Sequence, residues 1–465
     1  LANEQRTANA VLVGANVAGG VTVGVNVMYT NIGDNLDDSY AYYRGDAQDG
    51  TEQTGTASTT AVQGMVNNGL VGNKETIDSL RENYVSGLTY ASTTMNKGTA
   101  AQSNVGVGTS VRGNSKLTAS QDVNVQATAT NNVNNTLEQV QASIAVVGVA
   151  TNHVNVTEHQ SLLVENSELL GRTVNIASIT NTSLVGSVGT VPIGMTGYMD
   201  TTGYLKHSGS NVVTINGSSL RAKLAVSEDS DTSPLAISAV NNTNIDNSGH
   251  NVLVVAVGGG RLILEGEDAS TTSINLGNGT SNNNFKAAKI AVQAINNPTV
   301  KNDATIVETG TLMGSGTIVS SKANGGAELT AKDKNTFDAL AVELLAESGS
   351  EANDGKYTTE ATSHAVSVTV GEITVNKVRT FNEMNTSLNV GAVSFINGSS
   401  FSDAIISAKN LTDSNAYIHS VNVGVAGSGN NFAQTHDKSK VSITVAAGTT
   451  GLNAKNLEIN AINSG

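Results

Sequence analysis

Three groups of residues in this chain have the types and spacing that chemistry requires. Arg44-Gly45-Asp46 sits in the tyrosine-flanked segment Tyr40-Ala41-Tyr42-Tyr43-Arg44-Gly45-Asp46-Ala47. An exposed tripeptide of this kind can bridge to an integrin, with Asp46 completing a receptor metal site and Arg44 entering an acidic groove; the alternative is an inert coincidence. Carboxylates cluster at Asp34, Asp37, Asp38, Asp46 and Asp49, and again at Glu265, Glu267 and Asp268. Several hard oxygens in one place suit Ca²⁺, but neither cluster has EF-hand or Gly-Gly-x-Gly-x-Asp spacing, so solvated loops are the preferred reading. The third group is Asp37-Asp38, Asn244-Ile245-Asp246 and Gly249-His250-Asn251. A polysaccharide-cleaving β-helix enzyme uses such acids and a histidine, yet here their chain order is reversed and no Gly-His-Gly appears. Gly-x-Ser-x-Gly and His-Glu-x-x-His are absent too. The expectation is a protein that is not an enzyme and needs no cofactor or metal, with Arg44, Gly45 and Asp46 as the candidate receptor contact.

Any such residues need a scaffold, and composition restricts its form. With 465 residues, 3% aromatic content, no Trp and three prolines, the chain cannot build a thick aromatic core. The 38% apolar share suits a thin column of small and β-branched side chains. Asn, Gly, Ser and Thr suit recurrent turns, and period-two alternation in run after run excludes disorder. A net charge of −14 with only 14% charged residues leaves no basic patch for nucleic acid. The absence of Cys rules out disulfides and thiolate metal sites, and is common in large exported bacterial proteins.

A weak repeat organises the chain. Leu452, Ala454, Leu457, Ile459 and Ala461 have the offsets of Leu169, Gly171, Val174, Ile176 and Ser178, and Ile406, Ala408 and Leu411 begin the phrase again. A longer variant runs through Leu117, Ala119, Val123, Val125 and Ala127. Its spacing predicts a parallel stack with about 22 residues per coil, two coils between Leu117 and Leu169, and a rod of about 90 to 100 Å. Strands of about four to six residues are expected at Val21–Val27, Ile144–Val146, Val154–Val156, Val366–Val370, Val421–Val425 and Val441–Val445. The whole of 1–465 reads as one β-solenoid segment of a longer protein. Two excursions interrupt it, at 34–104 behind Ile77, Leu80 and Tyr84, and at 332–360 behind Phe337, Leu340, Leu344 and Leu345, each with a short helix. The stretch 186–211 reads as a long loop over one face.

The run Leu117-Thr118-Ala119-Ser120-Gln121-Asp122-Val123-Asn124-Val125-Gln126-Ala127 resembles the recurring phrase of filamentous-haemagglutinin-like exoproteins. Val174-Asn175-Ile176, and Val421–Ala426 followed by Ser442–Val445, keep the order seen in leukotoxin-type filamentous adhesins. The resemblance covers about two thirds of the chain. It implies a right-handed parallel β-helix secreted through an outer-membrane partner and displayed at the bacterial cell surface or beyond it. The expected function is attachment to host or bacterial cell-surface receptors, protein or glycan. The alternatives are a self-associating subunit of an extracellular filament or surface layer, and a carbohydrate-active β-helix enzyme.

Overall fold

Alternation persists through far longer runs than the interspersed Gly, Asn and Ser suggest. The computed structural model describes residues 1–33, 106–222, 234–349, 358–396, 401–450 and 454–464, among which there is no helix. Asp122–Ala142 alternates buried and open positions over 21 residues, and Thr173–Asn216 is a strand of 44 residues. Polar residues do not end these strands, because each side chain meets an equivalent one a rung away and the two satisfy each other.

A coil consists of an outbound arm, a bend and a return arm that doubles back against it. In Thr173–Asn216 the bend lies near Gly194-Met195, where the parity of the burial pattern changes. Across the interior, Thr190 and Thr201 hydroxyls are 3.0 Å apart and Asn211 Nδ2 donates to the Ser178 carbonyl at 3.0 Å. A short base strand then closes the coil. Outbound arms stack in the order Ala2–Val17, Asp122–Ala142, Thr173–Asn216, Pro234–Leu276, Lys289–Ala323, Ala341–Gly349, Phe401–Leu411, Ala454–Ser464. Base strands form a second sheet of six: Lys116–Thr118, Glu168–Gly171, Ser219–Ala222, Asn283–Lys286, Asn335–Asp338 and Ser394–Ile396. Every ladder is parallel, so the fold is an all-β parallel β-helix.

The coil is much larger than the repeat predicts. Register advances 51 residues from Asp122 to Thr173 and 62 from Ala341 to Asp403. Leu117 and Leu169 are therefore direct neighbours, one coil apart. Seven steps of about 4.8 Å make the stack about 34 Å high, so it is wide and short, unlike the expected rod.

The base holds the main apolar core. Leu169, Leu220, Phe285, Phe337 and Phe395 form one column, and the three rings stack at centroid distances of 5.2 and 5.3 Å. Leu117 heads this column but is 40% exposed, because its strand is the last of the base sheet. Ile406 is buried in a different column, with Val125, Ile176, Ile237, Val292 and Leu344. Leu452 lies outside the described residues. At the corner before the base strand, Asn114, Asn166, Gly217 and Lys334 all take φ between 48° and 66°. Asn and Gly tolerate that left-handed conformation, which is why three of the four corners use them.

Two further expectations are corrected. Asn335–Asp338 and Ala341–Gly349 are strands where a helical face was expected within 332–360. The corner at Ala339-Leu340 shifts the parity between them, so Phe337, Leu340 and Leu344 imitate helical spacing. The stretch 186–211 is strand as well. Its alternation is hidden because Met199 through Leu205 are buried on both faces. The excursion at 34–104 lies outside the described residues, as does 350–357.

Candidate binding face

Side chains on the outbound arms that point away from the core form columns across successive coils. Nearest the base half, one column is Thr130, Asn181, Asn242 and Asn297, and the next is Asn132, Ser183, Asn244 and Thr299. All of them but Thr130 line an open shallow groove together with Thr182 and Thr243. Asn242 Nδ2 donates to Asn181 Oδ1 at 3.0 Å, so the amides are aligned along the stack. Rung spacing of about 4.8 Å and a two-residue step of about 6.7 Å set a flat lattice of neutral donors and acceptors.

Toward the bend the same face becomes apolar. Val140 and Val191 are paired, as are Val252, Val307, Val366 and Val421 in sequence. Beside them run Ile193, Val254, Thr309, Val368 and Val423. Ile193, Val254, Val368 and Val423 are all exposed. A contiguous exposed apolar band next to a polar lattice is the composition of a contact surface.

A charged column separates the two zones. Glu138, Gly189 and His250 follow one another in register, and His250 Nε2 reaches Glu138 Oε2 at 3.3 Å across the intervening coil. Gly189 makes this possible, since a Cβ there would sit 2.2 Å from Glu138 Oε2 and 2.3 Å from the His250 ring. His250 is thereby held against Glu138 and stands apart from Asp246, which lies on the opposite side of the column from the apolar band.

Among the described residues, the acids and the histidine singled out by chemistry do not converge on one site. Arg44, Gly45 and Asp46 lie outside the described residues, as do Asp34, Asp37, Asp38 and Asp49. Of the second acidic cluster, Asp268 is buried and its Oδ1 is 2.7 Å from His207 Nδ1, while Ser270 donates to both Asp268 oxygens at 3.0 and 2.8 Å. Glu267 pairs with Lys206 at 3.3 Å and Lys322 at 3.7 Å. Burial, with Glu267 beside it, raises the Glu265 carboxyl to about 7. His207, Asp268 and Ser270 include the residue types of a hydrolytic triad, but the hydroxyl bonds the carboxylate instead of the imidazole and all three are buried. They form an internal brace with Thr182 and Thr243, whose hydroxyls are 3.3 and 3.0 Å from the His207 ring nitrogens.

The face itself escaped sequence reasoning because its members are 51 to 61 residues apart and share only residue class. The repeated Asn-Asn pairs at Asn131-Asn132, Asn241-Asn242 and Asn296-Asn297 were the available sign. Comparison with family models, curated proteins and solved structures returns no match, so what this face binds has to be argued from its chemistry.

Proposed function

We propose that this chain is part of an extracellular bacterial attachment protein, whose outer face holds a hydroxyl-rich surface glycan of a host or bacterial cell. The observation that carries the reading is the neutral Asn/Ser/Thr lattice on the outbound arms. Amides and hydroxyls at fixed spacing supply donors and acceptors matched to sugar hydroxyls, and the adjacent Val band can pack the apolar faces of sugar rings. The resemblance to filamentous-haemagglutinin-like exoproteins points the same way and brings secretion through an outer-membrane partner. Asn242→Lys, which places a long cation in the centre of the lattice, is expected to reduce binding on a glycan array or to intact cells at least tenfold with thermal stability unchanged. Binding equal to the native protein would dismiss the lattice. If Asp46→Glu abolished attachment while Asn242→Lys did not, the contact would belong to Arg44-Gly45-Asp46.

A second reading, self-assembly into a filament, is favoured by the exposed apolar band of Ile193, Val254, Val368 and Val423. Ordered polymers in electron micrographs of the purified protein would favour this reading over attachment.

A further inference from the structure

Near the bend the interior of two successive coils changes from hydrocarbon to oxygen. Glu308, on the outbound arm of Lys289–Ala323, is 1% exposed, and its register partner in the next coil is Ser367, also buried. Two residues on, Thr369 occupies the same interior side, and beyond the bend at Gly371 the return arm brings in Glu372, register partner of Met313. All four are at least nine-tenths buried. Oε1 of Glu372 and the hydroxyls of Ser367 and Thr369 make no hydrogen bond, and the Glu308 carboxylate has only the weak approach of the Ser315 hydroxyl to set against its burial. Leaving one such group without a partner is costly, and more so if it is charged. Several around one bend call for an occupant.

The character of the donors identifies it. They are all oxygen, two carboxylates and two hydroxyls, without the imidazole or thiolate that zinc or copper selects. A flexible shell of six to eight oxygens is what Ca²⁺ takes, and the carboxylates and hydroxyls supply most of one, with water for the rest. Register also leaves a way in. The coil beyond places Gly424 against Thr369 and Gly427 against Glu372, so of these donors only Ser367 has a side chain, Asn422, in register above it, while Leu253 lies beneath Glu308 and Met313 beneath Glu372 as an apolar floor. Protonation is a partial remedy: burial raises the Glu308 carboxyl to about 8, opposed by the Ser315 hydroxyl and aided by Glu372. One proton satisfies one of several acceptors.

We infer that Glu308, Ser367, Thr369 and Glu372 form a Ca²⁺ site that ties two successive coils together at the bend. With only two carboxylates, its affinity belongs with extracellular modules, about 10⁻⁴ to 10⁻³ M.

The test uses the full chain, stripped with a chelator and titrated with CaCl₂ by calorimetry and thermal melting, native against the Glu308→Gln/Glu372→Gln variant. The native protein is expected to bind one more Ca²⁺ than the variant and to gain thermal stability with Ca²⁺ where the variant does not. In chelator the variant should melt no lower than the native protein, because it lacks buried carboxylates. Equal stoichiometry and equal melting response in both proteins would overturn the site, as would a native protein indifferent to Ca²⁺. A response to Mg²⁺ or Mn²⁺ alone would overturn the assignment to Ca²⁺. Should the double variant fail to fold, Ser367→Ala/Thr369→Val keeps both carboxylates and is expected to weaken the site at least tenfold; unchanged affinity would overturn it.

Discussion

The interior at the base and the interior between the arms are built by the same backbone ladder and held by opposite chemistry. At the base, Leu169, Leu220, Phe285, Phe337 and Phe395 ask of a neighbour only that it fill volume. Between the arms, Asn241 donates to Asn296, Asn247 donates to Asn302, both at 2.9 Å, and His207 meets Asp268. Such columns ask each coil for a partner of stated polarity at a stated height. An apolar column therefore sets stability and tolerates substitution by size, whereas a polar column fixes which coil follows which, since a slip of one residue leaves buried amides unpaired.

Breaking the two interiors should separate these roles. Phe337→Ala opens a cavity between Phe285 and Phe395 and should lower unfolding free energy by about 4 kcal/mol, read in denaturant, with ladder order retained. Asp268→Ala removes a partner from His207 and Ser270 and should cost about 3 kcal/mol; double replacement with His207→Ala should cost less than the sum of the singles, and additive losses would show the brace to be energetically independent parts. The smallest effect, taken per pH unit, is a pH dependence. In calcium-free buffer the folded Glu308 holds its proton up to about 8, while the unfolded chain releases it near 4.5. The folded state binds more protons between those values, so this group's contribution is complete below the lower one and is lost as pH rises through the upper. Its slope is at most about 1.4 kcal/mol per pH unit. Glu308→Gln should remove that share of the slope; identical pH profiles for the two proteins would place the proton elsewhere.

Much of the architecture was legible. The offsets from Val174 and Ile176 to Leu457 and Ile459 match the structural register, with Ile459 reached from Ile176 through Ile237, Val292, Leu344 and Ile406. Alternation at Val154–Val156 and Val441–Val445 is strand as expected. Coil size was misjudged because the arms between recognisable phrases are polar and repeat no motif, so 52 residues looked like two short coils when it is one long one. The strands at Asn335–Asp338 and Ala341–Gly349 were mistaken for helix because one corner residue converts period two into a pattern of three and four. The binding face and the Glu308–Glu372 cluster were illegible for another reason. Each exists only where coils come into register, and no window of consecutive residues contains it.

The great length of each rung has a mechanical consequence. Successive coils such as Thr173–Asn216 and Pro234–Leu276 are joined by backbone ladders running along most of both arms, with the bonds directed along the stack. Tension applied along that direction is shared by the whole ladder at once, whereas a short coil would give way a few bonds at a time. A wide, low stack thus resists being pulled apart better than a slender rod of equal mass, at the expense of reach.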